Sequence, residues 1–150
     1  MSRHGVQDLQ GLVRQALMGA GASAEQADST ARALVSAQAQ GLASHGLSRV
    51  SMYAGHIAAG RVDGQAVPRV VNGKGGAALI DAGDGFAFAA CELAVSELLR
   101  RAPECGIAIS AVTNSHHFGA AAYHLAPLAK AGLVGLAFGN SPAAMPDRKS

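Results

Sequence analysis

Of the six histidines in this sequence, three, His45, His116 and His117, lie in polar, Gly-flanked stretches where an imidazole can face a cleft instead of filling a core. Imidazole side chains titrate near neutral pH, which suits general acid–base work. In Ser44-His45-Gly46 a helical backbone would point the adjacent Ser and His about 100° apart. A hydrogen-bonded Ser–His nucleophile pair, and with it acyl transfer, is therefore not favoured. His45 as a general acid or base, with Ser44 tuning it or touching substrate, fits better. Arg49 follows four residues later, on the same helix face one turn on. A proton donor beside a guanidinium fork suits a small 2-oxo or 2-imino acid. The same letters also read as a capping Ser, a surface His and a solvated Arg.

Asn114-Ser-His-His-Phe-Gly119 follows a strand-like run ending at Val112 and precedes a helix-like run from Ala120, the place where open α/β sheets keep their ligands. Backbone N–H groups at a helix start can hold an anion, and Gly119 permits close backbone approach. Adjacent residues such as His116 and His117 rarely share one metal, and only His124 offers a third imidazole, so no metal site is expected. Gly73-Lys-Gly75-Gly76 and Gly83-Asp-Gly85 complete neither GxGxxG nor GxxxxGK[ST]. Both read as turns, and a standard Rossmann or P-loop site is not supported. His56 and His124 read as helix-surface residues, Asp81 and Asp84 as turn formers, and Cys91 and Cys105 as reduced core thiols.

These side chains need elements to hold them. Val6, Leu9, Leu12, Val13, Ala16 and Leu17 recur at helical spacing until Gly19-Ala-Gly21 stops the pattern. Ser23 with Gln26 three residues on is a capping-box signature, and the second helix it opens keeps one apolar face until Gly41. Leu47, Val50, Tyr53, Ala54 and Ile57 continue the period to Gly60, so a third helix is expected to start close to Ser44-His45-Gly46, with Ser44 and His45 at its N-terminus. Residues 61–76 read as an extended connector or an edge strand, and a subdomain boundary falls there. Beyond it come a strand at Ala77–Asp81, a helix at Phe86–Arg101, a buried strand at Gly106–Val112, a helix at Ala120–Ala131 and a strand at Leu133–Phe138. The pattern predicts an α/β chain, with a helical subdomain over residues 1–76 and a β-α-β-α-β run over 77–150 whose sheet is covered on both faces.

At 150 residues, 49% apolar and 15% charged, the chain is the size of one globular domain and too hydrophobic for disorder. With 33 Ala and 19 Gly it has few bulky anchors, so its core is thin and a partner surface is plausible. Twelve scattered Lys and Arg against ten Asp and Glu form no stripe for a phosphate backbone, so nucleic acid is not an expected partner. No signal-peptide core and no membrane-length apolar run occur, so a cytoplasmic setting is expected.

The combination Ser44-His-Gly-x-x-Arg49-x-x-x-Tyr53, then Gly60, Pro68 and Asp81, then Thr113-Asn-Ser-His-His-Phe-Gly119 and Gly139-Asn-Ser-Pro142 resembles the malate/L-lactate dehydrogenase family. That family also holds ureidoglycolate dehydrogenases and Δ1-piperideine-2-carboxylate/Δ1-pyrroline-2-carboxylate reductases, and the likeness runs from about Val6 to Met145. It implies an NAD(P)-dependent oxidoreductase with a non-Rossmann cofactor-binding fold, acting on a small 2-oxo, 2-hydroxy or 2-imino acid and assembling as a homodimer. Under the resemblance His45 is the proton donor, Ser44 its relay partner and Arg49 the carboxylate anchor. His117, Phe118, Gly119, Ala120 and Ala121 become a segment that contacts NAD or NADP. Hydride chemistry and the cofactor come from the resemblance alone. Members are more than twice this long, so the chain is expected to be a truncated N-terminal portion with an incomplete cofactor domain, its Leu133–Phe138 strand lacking a continuation. The alternative is a catalytically inactive fragment that acts only as a partner-dependent structural or interaction module.

Overall fold

Residues 5–140 are described by a computed structural model. The first helix, α1 (Val6–Gly19), turns Leu9, Val13 and Leu17 inward and ends where Gly21 takes a left-handed φ of +109°. Ser23 then caps α2 (Ala24–Ala39), its Oγ accepting the Gln26 amide at 3.2 Å. Only half of the capping box forms. The Gln26 side chain turns inward instead, where Nε2 donates to the Ala66 carbonyl at 2.8 Å and Oε1 accepts the Phe86 amide at 3.1 Å. Ala27, Ala31, Leu34 and Val35 form the buried face of α2, and the small side chains of Ala27 and Ala31 let α1 lie close against it.

The third helix differs from expectation. Two 3-10 turns, Ala43–His45 and Leu47–Arg49, precede α3 (Val50–Ala58), so Ser44 and His45 are not at its N-terminus. Gly46 separates the turns and explains the break: a Cβ there would come within 3.0 Å of the Gln38 backbone, so the chain bends sharply over α2 at this point.

After the connector come β1 (Arg69–Lys74), β2 (Ala77–Asp81), α4 (Ala87–Cys105), β3 (Ile109–Thr113) and α5 (Ala121–Lys130). The sheet order is β1-β2-β3, with β1 antiparallel to β2 and β3 parallel to it through the α4 crossover. Arg69–Lys74 is the edge strand that the connector allowed, exposed throughout and bulged between Val70 and Asn72.

The remaining strand expectations are corrected. Residues 133–138 form no strand: Val134, Leu136 and Phe138 are 95, 79 and 91% exposed, while Leu133 and Gly135 rest against α5. An alternating apolar run becomes a strand only beside a sheet edge, and none pairs with it among the described residues. Nor is the sheet covered on both faces. Ala78 and Ile80 are buried under Ala90 and Ala94 of α4, while Ile109 and Ala111 face outward on the other side. Gly106-Ile-Ala, expected as the start of a buried strand, precedes β3, and Ile107 is exposed.

Two cores result. The larger gathers Val13, Leu17, Leu34, Val35, Tyr53 and Val62 with Phe86 and Phe88, so the start of α4 is anchored among the N-terminal helices. The smaller, Ala-rich one lies between β2 and α4. No helix among the described residues is long and apolar enough to cross a membrane.

Candidate active site

The first 3-10 turn holds both Ser44 and His45, and Ser44 Oγ lies 3.0 Å from His45 Nδ1. Adjacent residues of such a turn point about 120° apart, so the two side chains turn back toward each other to make a contact that the expected separation disfavoured. Arg49 folds back over the same turns, Nε donating to the Ser44 carbonyl and Nη1 reaching the Met52 sulfur at 3.8 Å. Its guanidinium makes no ion pair among the described residues.

The loop after β3 supplies the other wall. Asn114, at a left-handed φ of +49°, donates from Nδ2 to Asp81 Oδ1 at 3.0 Å, where the Gly83 amide also bonds at 2.9 Å. Those two bonds, with Arg69 behind them, hold the Asp81 carboxyl below the usual carboxylate range. Asp81 is thus a turn former that ties the loop to β2. The loop then lays His117 against His45, ring centroids 5.7 Å apart and planes 30° from parallel. Tyr53 Oη on α3 lies 2.8 Å from His117 Nδ1. Burial holds the His117 imidazole below its usual pKa, and Arg49, His45 and His116 push the same way.

His116 faces inward, its ring 4.8 Å from that of His56, and both Nδ1 atoms are buried without a partner among the described residues. Burial, His56 and Arg61 hold the His116 pKa down. His56 is therefore half-buried against the loop, not a free surface residue. His124 is corrected more fully. It is buried on α5 between Phe88 and Phe118, and Nε2 donates to the Phe118 carbonyl at 2.7 Å. Burial lowers its pKa, partly opposed by that bond and by Glu92. Both cysteines are free, but Cys105 is exposed and not a core thiol, while burial pushes the half-buried Cys91 up to about 11.

Phe118, Gly119, Ala120 and Ala121 lead from His117 into α5. Gly119 has φ +73°, and a Cβ on it would stand 2.9 Å from the Phe88 ring, so glycine is required twice over. The first turn of α5 has neither a side-chain cap nor an acidic residue. Its free amide N–H groups fit an anion such as a dinucleotide phosphate. No cluster of three or more metal-ligating residues occurs among the described residues. A groove of about 520 Å³ between α2, α4 and α5, lined by Arg32, Glu92, Tyr123 and Lys130, contains none of Ser44, His45, Arg49 or His117. In the groove Arg32 is paired with Glu92 at 2.8 Å, and His124 and Lys130 also line it.

Tyr53 enters the sequence pattern only as an apolar position of the third helical period and as the residue four after Arg49. Its hydroxyl contact with His117 depends on a packing that no local spacing reveals.

A family model described as malate/L-lactate dehydrogenase matches residues 5–149. The (2R)-3-sulfolactate dehydrogenase (NADP(+)) of Chromohalobacter salexigens is 42% identical over 130 residues, covering 87% of this chain and 39% of that protein. A Δ1-pyrroline-2-carboxylate/Δ1-piperideine-2-carboxylate reductase of Pseudomonas syringae pv. tomato is 41% identical over 87% of this chain and 38% of its own length. The solved malate dehydrogenase of Pyrococcus horikoshii superposes with a TM-score of 0.80 at 29% identity, over 87% of this chain and 38% of that one. The chain thus spans about two fifths of the length of these relatives. By the family match and the shared fold, the chain belongs to the malate/L-lactate dehydrogenase family.

Proposed function

We propose that this chain is the acid-binding and proton-delivering part of an NAD(P)-dependent oxidoreductase that reduces a small 2-oxo or cyclic 2-imino acid. The observation that carries this reading is the meeting of the Ser44–His45 pair with His117 beside an Arg49 that has no ion-pair partner among the described residues. Arg49 offers a two-pronged donor to the carboxylate. As an imidazolium, His45 keeps Nδ1–H on Ser44 Oγ and yields its Nε2 proton to the oxygen or nitrogen of the acid's reducible double bond. A bound reduced nicotinamide supplies the hydride to the adjacent carbon. His117 through Ala121 and the uncapped α5 N-terminus would hold that cofactor. In this reading residues 1–76 carry the substrate chemistry and 77–150 begin the cofactor-binding domain, in a cytoplasmic homodimer using NAD or NADP.

A chimera tests it: residues 5–140 of this chain replace the matching part of the Pseudomonas syringae reductase. It should oxidise NADH or NADPH with pyruvate or a cyclic imino acid, and His45→Ala should abolish most of the turnover. A folded chimera that binds cofactor yet reduces neither acid, while the parent reductase works, would sink the reading.

The second reading is a catalytically inactive module completed by a partner. The open sheet face at Ile109 and Ala111 and the bare Val134, Leu136 and Phe138 favour it. An inactive chimera together with a defined complex of the free chain would select it.

A further inference from the structure

Tyr53 is 0% exposed, and its hydroxyl has one partner among the described residues, His117 Nδ1, across 64 residues of sequence. A third group decides the direction of that bond. The Gly119 amide also points at Nδ1, at 3.3 Å, and an amide N–H can only donate. Nδ1 therefore carries its lone pair, Tyr53 donates, and a neutral His117 has its proton on Nε2. The phenol keeps that proton available because burial raises it to about 12, against a weaker opposite pull from Arg49. Packing fixes the donor: the Tyr53 ring lies 5.1 Å from Phe86 and 6.1 Å from Phe88.

We propose that Tyr53 is a positioning residue that locks His117 as the Nε2–H tautomer, so that of the two stacked imidazoles His45 exchanges protons while His117 serves only as a neutral hydrogen-bond donor. The assignment of proton exchange to His45 rests on the reductase reading above. The lock itself does not. Positive charge beside His117 disfavours its protonation: Arg49 supplies it from the second 3-10 turn, and any charge on His45 or on His116 would act in the same direction. Tyr53, from α3, adds a bond that only the unprotonated Nδ1 can accept.

The test is the two-bond 1H–15N spectrum of the histidines in the 15N-labelled 150-residue chain, with no acid or cofactor added. His117→Gln identifies the His117 signals by their loss. In the unsubstituted chain at neutral pH, His117 should show a bare Nδ1 and a protonated Nε2. Tyr53→Phe, which keeps the packed ring, should convert this to a mixture of tautomers and raise the His117 pKa toward the ordinary histidine value. A role in packing alone would leave both unchanged in Tyr53→Phe, and that result overturns the proposal. So does a proton on Nδ1 in the unsubstituted chain, a measurement that stands even if Tyr53→Phe fails to fold. Because nothing is turned over in these spectra, an inactive chimera would count against the reductase reading and leave the lock intact.

Discussion

Arg49 illustrates how one side chain can be held without being used up. Its Nε is anchored on the Ser44 carbonyl, which aims the guanidinium without neutralising it. In the chimera, Arg49→Leu should raise KM for the acid by roughly 30- to 1000-fold, about 2–4 kcal/mol of lost charge-assisted binding. Steady-state kinetics that show an unchanged KM would remove Arg49 from the site. His45→Ala should lower kcat by about 100-fold or more with little change in cofactor affinity. Three desolvated imidazoles also set a pH dependence of stability. His116, His117 and His124 all have lowered pKa values in the folded chain. Just below the ordinary histidine pKa the unfolded chain therefore binds more protons than the folded one, and stability rises with pH there. Their contribution is complete above about pH 6.5 and is lost as pH falls through the lowered values. Thermal unfolding should show Tm at pH 5.5 below that at pH 8, and a flat profile across this interval would contradict the lowered pKa values.

At the scale of elements, Gln26 ties α2 to the connector and to the start of α4 through two backbone bonds. Gln26→Leu would leave the Ala66 carbonyl and the Phe86 amide buried without partners, a loss of about 2–4 kcal/mol. Denaturant unfolding reads this directly, and a change below about 0.5 kcal/mol would mean that water replaces the amide. The capping box in the sequence pointed correctly to the helix start at Ser23, yet it gave Gln26 the wrong partner. Local spacing identifies a cap, but only the chain returning from residue 66 can present a better acceptor. Element type was otherwise legible where period and punctuation agreed, as in α1, α2 and α4. It failed at Ser44–Arg49, where Gly46 and the close passage over Gln38 replaced one helix turn by two tighter ones. The cysteines give a further check. Cys105 is exposed at the end of α4, whereas burial holds the Cys91 thiol near 11. At pH 8 one equivalent of alkylating reagent should react quickly, with mass mapping to Cys105, and Cys91 should follow far more slowly.

In the proposed reading the chain carries the acid-binding groups in the connection between α2 and α3 and one cofactor-contacting segment, at His117–Ala121. With charged hydrogen bonds worth about 1.5–3 kcal/mol each, a dinucleotide held by this segment alone should bind with a millimolar or weaker Kd. Residues 1–150 by themselves are expected to show no measurable NAD(P)H turnover and to self-associate through the bare edge of β3 and the run Val134–Phe138. Size-exclusion chromatography beside a turnover assay checks both, and Leu136→Lys should reduce the association. A monomeric, active chain would refute the placement of the cofactor site. Sequence alone determined the helix-forming periods, the α/β alternation, the motifs around His45 and His117 and, through them, the family, because these depend on residues close together in the chain. Tertiary structure decided which histidine meets which, that Tyr53 reaches His117, and that the Leu133–Phe138 run stays unpaired. Those outcomes depend on surfaces brought together across tens of residues, where packing and the supply of hydrogen-bond partners, not local preference, set the geometry.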